Sequence, residues 1–150
     1  MFRTKKPLRG FTLVEILIVV IILGILAAIV IPQFANASSD ARVSNLRTTL
    51  NNVRNQIEVF KAQHNETAPA LAGMWTLMTS PSDTTEATSA TPTGTAWGPY
   101  LQAPPINPFN NLTSVTSAAV DVNAGWFYSP VGLGFTFYAR NADGSVNQSY

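Results

Sequence analysis

The sequence contains no cysteine, a single histidine and few charged residues, and each shortage excludes a class of function. Without cysteine, the chain can form neither a disulfide framework nor a thiolate-based site. A histidine metal cluster or a Ser-His triad would depend on His64 alone. Its position in a polar stretch at a predicted helix end favours a solvated side chain or an interaction with the helix dipole instead. The sequence therefore shows no catalytic constellation.

Charge is scarce and unevenly distributed. Charged residues form 11% of the chain, against about 25% in an ordinary soluble domain. Four of the nine basic residues lie within the first ten positions, where there is no acidic residue, and the rest of the chain has five basic and eight acidic residues. The basic character thus belongs to the N-terminus, and the body of the chain provides no basic patch for nucleic acid.

A long apolar segment, residues 11–31, follows the basic N-terminus. As a helix it would be about 31 Å long, which is enough to span the hydrocarbon core of a bilayer. Two ordinary interpretations are a plain membrane anchor and a secretory signal peptide, the latter with a cleavage site at Ala35-Asn36-Ala37. The segment is longer than a typical signal-peptide core. Neither interpretation explains Glu15, since a lone carboxylate at membrane depth is costly.

A third interpretation accounts for Glu15 and its neighbours together. The run Arg9-Gly10-Phe11-Thr12-Leu13-Val14-Glu15 closely resembles the processing motif of type IV pilins and type II secretion pseudopilins. The resemblance implies that prepilin peptidase cleaves after Gly10 on the cytoplasmic side and that Phe11 is then N-methylated. It makes residues 1–10 a leader peptide and residues 11–32 a transmembrane and assembly helix. Glu15 becomes the fifth mature residue, and Pro32 becomes the twenty-second and the site of a helix kink.

Glu15 needs a cationic partner, and no Lys, Arg or His occurs between Thr12 and Asp40. The remaining cation is the α-amino group that cleavage would create on Phe11, which stays positively charged when methylated. Positions 11 and 15 are neighbours on one helix face, and the resemblance implies that in a filament the amine can belong to an adjacent subunit. By the positive-inside rule, the N-terminus stays in the cytoplasm and residues 33–150 form a periplasmic head. We therefore expect a single-pass protein of the bacterial inner membrane.

Residues 36–64 predict an amphipathic helix. Apolar residues recur there at spacings of 3 and 4, namely Val43, Leu46, Leu50, Val53, Ile57 and Phe60, and such a stripe is typical of a helix that packs on a core. Ser38, Ser39 or Asp40 can cap a new helix, but the sequence is equally compatible with one helix that continues through Pro32. A second set at helical spacing, Leu71, Met74, Trp75 and Met78, predicts a short helical turn over the core.

The rest of the chain predicts a loop followed by a sheet. Residues 79–96 contain ten Ser or Thr residues and two prolines, which indicates an exposed loop. Residues 97–150 are rich in β-formers, with runs at 115–122, 126–128 and 135–138 that are separated by turn residues, including Ser129 to Gly132. In the last run Phe135, Phe137 and Ala139 alternate with Thr136, Tyr138 and Arg140, which predicts a strand with two different faces. We predict an α+β fold in which a small C-terminal antiparallel sheet of three or four strands packs on the long N-terminal helix.

Two further similarities concern the kind of subunit. Trp97-Gly98-Pro99-Tyr100-Leu101 and the following residues through Phe109 are similar to a segment of major pseudopilins, and so is the Ala142-Asp143-Gly144 turn. That resemblance implies a calcium ion in the C-terminal loop with Asp143 as a ligand. However, Asn107 stands where these proteins have an aspartate, and the expected aspartate-bearing extension does not follow Asp143, so the residues favour a turn-forming role for it.

These features predict a non-enzymatic structural subunit of a type II secretion pseudopilus, similar to the G-type major pseudopilin. The resemblance implies a homopolymer whose further partners are prepilin peptidase, an inner-membrane assembly platform and minor pseudopilins, with no cofactor apart from the calcium just considered. The alternative is a type IV pilin for adhesion, twitching motility or DNA uptake, although major pilins commonly carry a disulfide that this chain cannot form. A membrane-tethered enzyme or binding domain is a third class, which would need a convergent polar site.

Overall fold

The computed structural model describes residues 10–86 and 96–150, apart from the side chain of Ala35. In chain order the elements are helices α1 (Leu13–Gln63) and α2 (Met74–Thr79) and strands β1 (Val115–Thr116), β2 (Trp126–Val131), β3 (Gly134–Arg140) and β4 (Val146–Asn147). The chain divides into two compact units, Met1–Asp40 and Ala41–Tyr150. A long helix followed by a small sheet confirms the predicted α+β class. Most of the predicted leader and residues 87–95 of the predicted loop lie outside the described residues.

Helix α1 is continuous from Leu13 to Gln63, so no new helix begins at Ser38 to Asp40. Pro32 lies inside it, where its ring removes one backbone hydrogen bond of the helical ladder. At the C-terminal end, the carbonyl oxygen of Lys61 accepts the N–H groups of His64 at 3.1 Å and of Glu66 at 2.8 Å. These bonds satisfy a carbonyl that the end of the helix would otherwise leave without a partner.

The apolar stripe predicted on α1 forms one side of the core of the second unit. Five of its six residues are at most 1% exposed, namely Leu46, Leu50, Val53, Ile57 and Phe60, whereas Val43 is partly exposed. They belong to one cluster with the buried residues of α2 (Met74, Leu77, Met78) and of the sheet (Trp126, Tyr128, Phe137, Ala139). The short helix predicted around Met74 is thus present, and it covers the core as expected.

The sheet has the order β1-β2-β3-β4 and is not wholly antiparallel. Strands β2 and β3 form an antiparallel hairpin, and β4 pairs antiparallel with the end of β3. Strand β1, however, runs parallel to β2, which corrects the predicted antiparallel sheet at this edge. The reason is the intervening loop, residues 117–125, which returns the chain to the end of the sheet where β1 began, so that β2 takes the direction of β1.

Three local predictions within the β-rich region are wrong. The run predicted over 115–122 ends at Thr116, and Val120 forms only an isolated bridge with Ser145. No strand occurs in residues 97–114, where Trp97 forms an isolated bridge with Ser82. The turn predicted from Ser129 begins later, because residues 129–131 continue β2. Proline is tolerated at position 130 because β1 pairs only with the first two residues of β2 and leaves this edge open.

His64 is buried rather than solvated, which corrects the expectation from the sequence. Its ring is 1% exposed and stacks on the ring of Phe60, with 3.8 Å between the centroids. Nδ1 lies 2.9 Å from the carbonyl oxygen of Phe60, and Nε2 lies 3.0 Å from Oγ of Ser82. Because a carbonyl only accepts, Nδ1 carries the hydrogen. The residues that enclose the ring include Trp97 and Tyr100, which are too distant in sequence for a local pattern to reveal them.

Candidate processing and assembly site

The predicted cleavage site lies at the start of the described chain, directly before helix α1. Phe11 is 79% exposed. Among the described residues, a Cβ atom on Gly10 would have no atom within 4 Å other than those of its chain neighbours. The described part of the chain therefore leaves the Gly10–Phe11 peptide bond uncovered.

Thr12 and Glu15 form a reciprocal cap at the N-terminus of α1. The Glu15 N–H donates to Oγ1 of Thr12 at 3.2 Å, and the Thr12 N–H donates to Oε2 of Glu15 at 3.5 Å. This Thr-x-x-Glu arrangement is a capping box. The spacing of the two residues in the sequence indicates such a cap, but our sequence analysis did not predict this role for Glu15. The bond to Oε2 is long, so the carboxylate retains most of its capacity to accept stronger bonds.

Glu15 has no cationic partner within residues 10–86 and 96–150. The one salt bridge there joins Nζ of Lys61 and Oε2 of Glu58 at 2.9 Å. The amine with which Glu15 is predicted to pair does not exist in the uncleaved chain, because the nitrogen of Phe11 is part of the peptide bond to Gly10. The pairing therefore stays a prediction that depends on cleavage.

The first half of α1 exposes apolar side chains around its whole circumference. Its large apolar residues from Leu13 to Phe34 are each between 41% and 82% exposed, and the mean hydropathy of an 18-residue window reaches 3.3. Within the described ranges, this is the one helix that is long and apolar enough to cross a membrane. A helix that is apolar on all sides belongs in a bilayer or among other helices. Pro32 lies within this segment, and the kink expected there stays a prediction.

Asp143 forms the turn between β3 and β4. Its Oδ1 accepts the backbone N–H of Ser145 at 2.9 Å and the Ser145 hydroxyl at 2.6 Å. The hydroxyl and backbone bonds from Ser145 hold the pKa of the Asp143 carboxyl below its ordinary value. Gly144 follows with a φ of 79°, which glycine adopts without strain. The geometry is that of an Asp-Gly turn, the role that the residues favoured.

The surroundings of Asp143 do not fit the calcium ion that the resemblance implies. Calcium takes about six to eight oxygen ligands, commonly with several carboxylates among them. Nowhere in residues 10–86 and 96–150 do three His, Cys, Asp or Glu side chains lie together as a metal site requires. The carbonyl oxygens of Ala118, Ala119 and Gly144 instead accept hydrogen bonds from the guanidinium of Arg140. We therefore derive no role for a metal in this loop.

Asn107 has a structural role that we did not predict from the sequence. The side chain is 0% exposed. Its Nδ2 donates to the carbonyl oxygens of Gly125 at 2.7 Å and Arg140 at 2.8 Å, and its Oδ1 accepts the N–H of Phe109 at 2.9 Å. An aspartate at this position could accept the Phe109 N–H, but it could not donate to the carbonyl oxygens of Gly125 and Arg140. This explains why the residue is an amide. The only signal in the sequence was the departure from the aspartate of the similar proteins.

The segment that resembles major pseudopilins, Gly98 to Leu101, ties the two helices together. The N–H groups of Tyr100 and Leu101 both donate to the carbonyl oxygen of Met78 at 2.9 Å. The Tyr100 hydroxyl donates to Oε1 of Gln63 at 2.7 Å, and burial raises the pKa of that hydroxyl. The segment thus holds the end of α1 next to α2, which is a scaffolding role.

Comparison with known proteins shows similarity to filament subunits. Residues 6–31 match the family described as the prokaryotic N-terminal methylation motif. The chain is 29% identical over 107 residues to type II secretion system core protein G of Pseudomonas aeruginosa, which covers 71% of this chain and 72% of that protein. It is 40% identical over 72 residues to the type IV major fimbrial protein FimA of Dichelobacter nodosus, which covers 48% of this chain and 46% of that protein.

A fimbrial protein of Neisseria meningitidis is 29% identical over 138 residues, which cover 92% of this chain and 69% of that protein. No solved structure matches the chain. The relatives are therefore of two kinds, named for secretion and for fimbriae, and both are similar to this chain beyond the methylation motif.

Proposed function

We propose that this chain is a member of the superfamily of type IV pilins and type II secretion pseudopilins and, within it, a structural, non-enzymatic subunit of a type II secretion pseudopilus. The observation that carries this proposal is the first half of α1, which is apolar on every side and directly follows the processing motif. Similarity to core protein G covers 71% of the chain and so includes much of the head. This similarity beyond the methylation motif supports a pseudopilus subunit.

Processing begins with the precursor in the inner membrane, its basic N-terminus in the cytoplasm and its head in the periplasm. Prepilin peptidase hydrolyses the Gly10–Phe11 bond, which leaves a carboxylate on Gly10 and an ammonium group on Phe11. Phe11 is then N-methylated and keeps its positive charge. The exposure of Phe11 and the open space around Gly10 support this step.

Assembly then uses the charge that cleavage creates. The carboxylate of Glu15 accepts only a long bond from Thr12 in the isolated chain, so the ammonium of Phe11 on a neighbouring subunit is a stronger partner. As subunits join, the apolar side chains of α1 exchange lipid contacts for contacts with other α1 helices, where packing and neutralised charge favour association. A kink at Pro32 belongs to the same proposal, because proline leaves the carbonyl four residues earlier without its helical bond.

Substitution of Glu15 by glutamine tests the pairing. Glu15→Gln should be cleaved and methylated normally, since the amide keeps the size of the side chain and the peptidase acts at Gly10–Phe11. It should assemble at least about tenfold less well, because an ammonium buried without a counter-charge costs more than about 1.4 kcal/mol. The measurements are the mass of the processed N-terminus and the amount of sheared or cross-linked filament.

The matched control is Glu58→Gln, which removes a carboxylate that is bonded to Lys61 on the same helix. We expect the control to assemble like the wild type, because a salt bridge whose carboxylate is 59% exposed contributes little. Filament formation by Glu15→Gln at the wild-type level would show that the proposed pairing with Phe11 is wrong.

The alternative function, a type IV pilin, is favoured by one observation, the match to a fimbrial protein over 92% of this chain. Deletion of the gene in its own bacterium distinguishes the two. A pseudopilin mutant should retain exoproteins in the periplasm and keep its surface pili. Loss of surface filaments with normal secretion would instead establish the pilin. Cross-linking in intact membranes would then identify the assembly platform and minor pseudopilins that we propose as partners.

A further inference from the structure

Arg140, the last residue of β3, is an arginine in a fully buried position. The alternation along the strand predicts it on the polar face with Thr136 and Tyr138, but its side chain is 0% exposed. Arginine is almost never buried completely unless it is paired. The groups that contact the Arg140 side chain therefore indicate its role.

The guanidinium of Arg140 is held by backbone carbonyls rather than by a carboxylate. Nη1 donates to the carbonyl oxygens of Ala119, at 3.4 Å, and Gly144, and Nη2 donates to the carbonyl oxygen of Ala118. The Phe127 ring lies over the guanidinium, with its centroid 5.7 Å from Cζ. Burial lowers the pKa of Arg140, and the charge of Asp121 opposes that change. Carbonyl dipoles, an aromatic face and one carboxylate that does not bond to it directly thus offset part of the cost of burying this cation.

The three carbonyls belong to two segments of the chain that meet next to Arg140. Ala118 and Ala119 lie in the loop at 117–125, and Gly144 lies in the turn between β3 and β4. The Asp121 N–H donates to the Gly144 carbonyl oxygen at 3.1 Å. The backbones are so close that a Cβ on Gly144 would lie 2.6 Å from Asp121 and Val122. Arg140 therefore sits at the junction of the 117–125 loop and the 141–145 turn.

We propose that Arg140 is an internal cation that fixes this junction in place of a bound metal ion. Backbone carbonyl oxygens that converge on one point form part of a typical calcium site, and here a guanidinium that is covalently part of β3 fills that position. The positively charged guanidinium occupies the point that a metal ion would need, so the carbonyls cannot serve as its ligands. The head should therefore keep its C-terminal loops in place without calcium. This goes beyond the proposed function, since it concerns how the head is stabilised in either kind of filament.

The first measurement is thermal unfolding of the full-length chain in detergent micelles, with millimolar calcium and with an excess of chelator. A ligand that binds only the folded state raises the Tm. We expect the two Tm values to agree within about 1 °C. A Tm several degrees higher in calcium would overturn the proposal, because it would show a metal site in the wild-type protein.

The second measurement uses Arg140→Met, which keeps the length of the side chain and removes its charge and donors. We expect its Tm to fall by about 5–15 °C, because the carbonyls of Ala118, Ala119 and Gly144 all lose the donor that joins their two segments. Amide hydrogen exchange should become faster at residues 118–122 and 144 in particular. The matched control is Arg42→Met, which changes an exposed arginine on α1 and should leave both readouts unchanged. Equal behaviour of the two variants would overturn the proposal.

Arg140→Lys keeps the test decisive if Arg140→Met does not fold. Lysine retains the charge and can donate to some of the three carbonyls, but it lacks the planar fork of arginine. We therefore expect a folded variant with a Tm below that of the wild type and faster exchange at the same loop residues. Wild-type stability and exchange in Arg140→Lys would show that a single charge suffices and that the three-carbonyl arrangement does not fix the junction.

Discussion

At the scale of single residues, several buried or half-buried polar side chains of the head bond to backbone carbonyls rather than to one another. Arg54 donates through Nε and Nη2 to the carbonyl oxygen of Phe137 at 3.1 and 2.8 Å. The indole N–H of Trp126 donates to the carbonyl oxygen of Pro105 at 2.9 Å. Much of the chain around the sheet is not in strands, so its carbonyls need partners that a ladder would otherwise provide. Side-chain donors in the head are therefore important for its stability.

Asn107→Asp should test this at one buried donor. The carboxylate would face the carbonyl oxygens of Gly125 and Arg140 without a hydrogen to donate, and its charge would be buried. We expect a loss of about 2–4 kcal/mol in the free energy of unfolding, measured by chemical denaturation. Asn52→Asp, at an exposed position on α1, is the control and should change stability by less than about 0.5 kcal/mol. Equal stability of the two variants would contradict the role of the amide.

At the scale of elements, the second half of α1 is held by its apolar stripe. Leu50 is 1% exposed and belongs to the core cluster that includes the sheet. Leu50→Ala should therefore lower the free energy of unfolding by about 2–5 kcal/mol through lost burial and the cavity that remains. Val59→Ala on the same helix, where the valine is 44% exposed, should cost less than about 1 kcal/mol. A similar loss for both would show that the stripe does not form the core.

The β3–β4 turn depends on a glycine for two separate reasons, which a pair of substitutions can distinguish. Gly144 and Gly73 have nearly the same φ, 79° and 82°, but only Gly144 has backbone atoms in the space of a Cβ. Gly73→Ala should cost about 1 kcal/mol for the left-handed conformation alone. Gly144→Ala should cost clearly more, because the loop at Asp121 would have to move away. Equal losses in denaturation experiments would show that the close approach of the two segments is not required.

Which elements could be predicted follows from how local their signals are. The stripe on α1, the short α2 and the β2–β3 pair have periodicities that a few neighbouring residues define, and the structure contains all three. The parallel edge strand β1, the buried ring of His64 and the absence of strands in 97–114 depend on contacts between distant segments. Composition and spacing do not encode such contacts. The same distinction applies to Asp143 and Arg140, since the turn residue could be predicted and the buried cation could not.

At the scale of the whole molecule, the two units differ in what they need from their surroundings. The second unit buries its own apolar core. The first half of α1 exposes every large apolar side chain it has. Processing at Gly10–Phe11 stays a prediction, and it rests on a motif that is local in sequence. The partner of Glu15 could not be located in one chain, because the proposed filament supplies it from a second copy.

Mass analysis of the mature protein from its own bacterium is the most direct test of the central claim that this chain is a processed filament subunit. We expect the N-terminus to begin at Phe11 and to carry one methyl group on its α-amino nitrogen. A protein that still begins at Met1 would contradict processing by prepilin peptidase. A start at Ser38 would contradict it as well, and would identify the apolar segment as an ordinary signal peptide cleaved after Ala37.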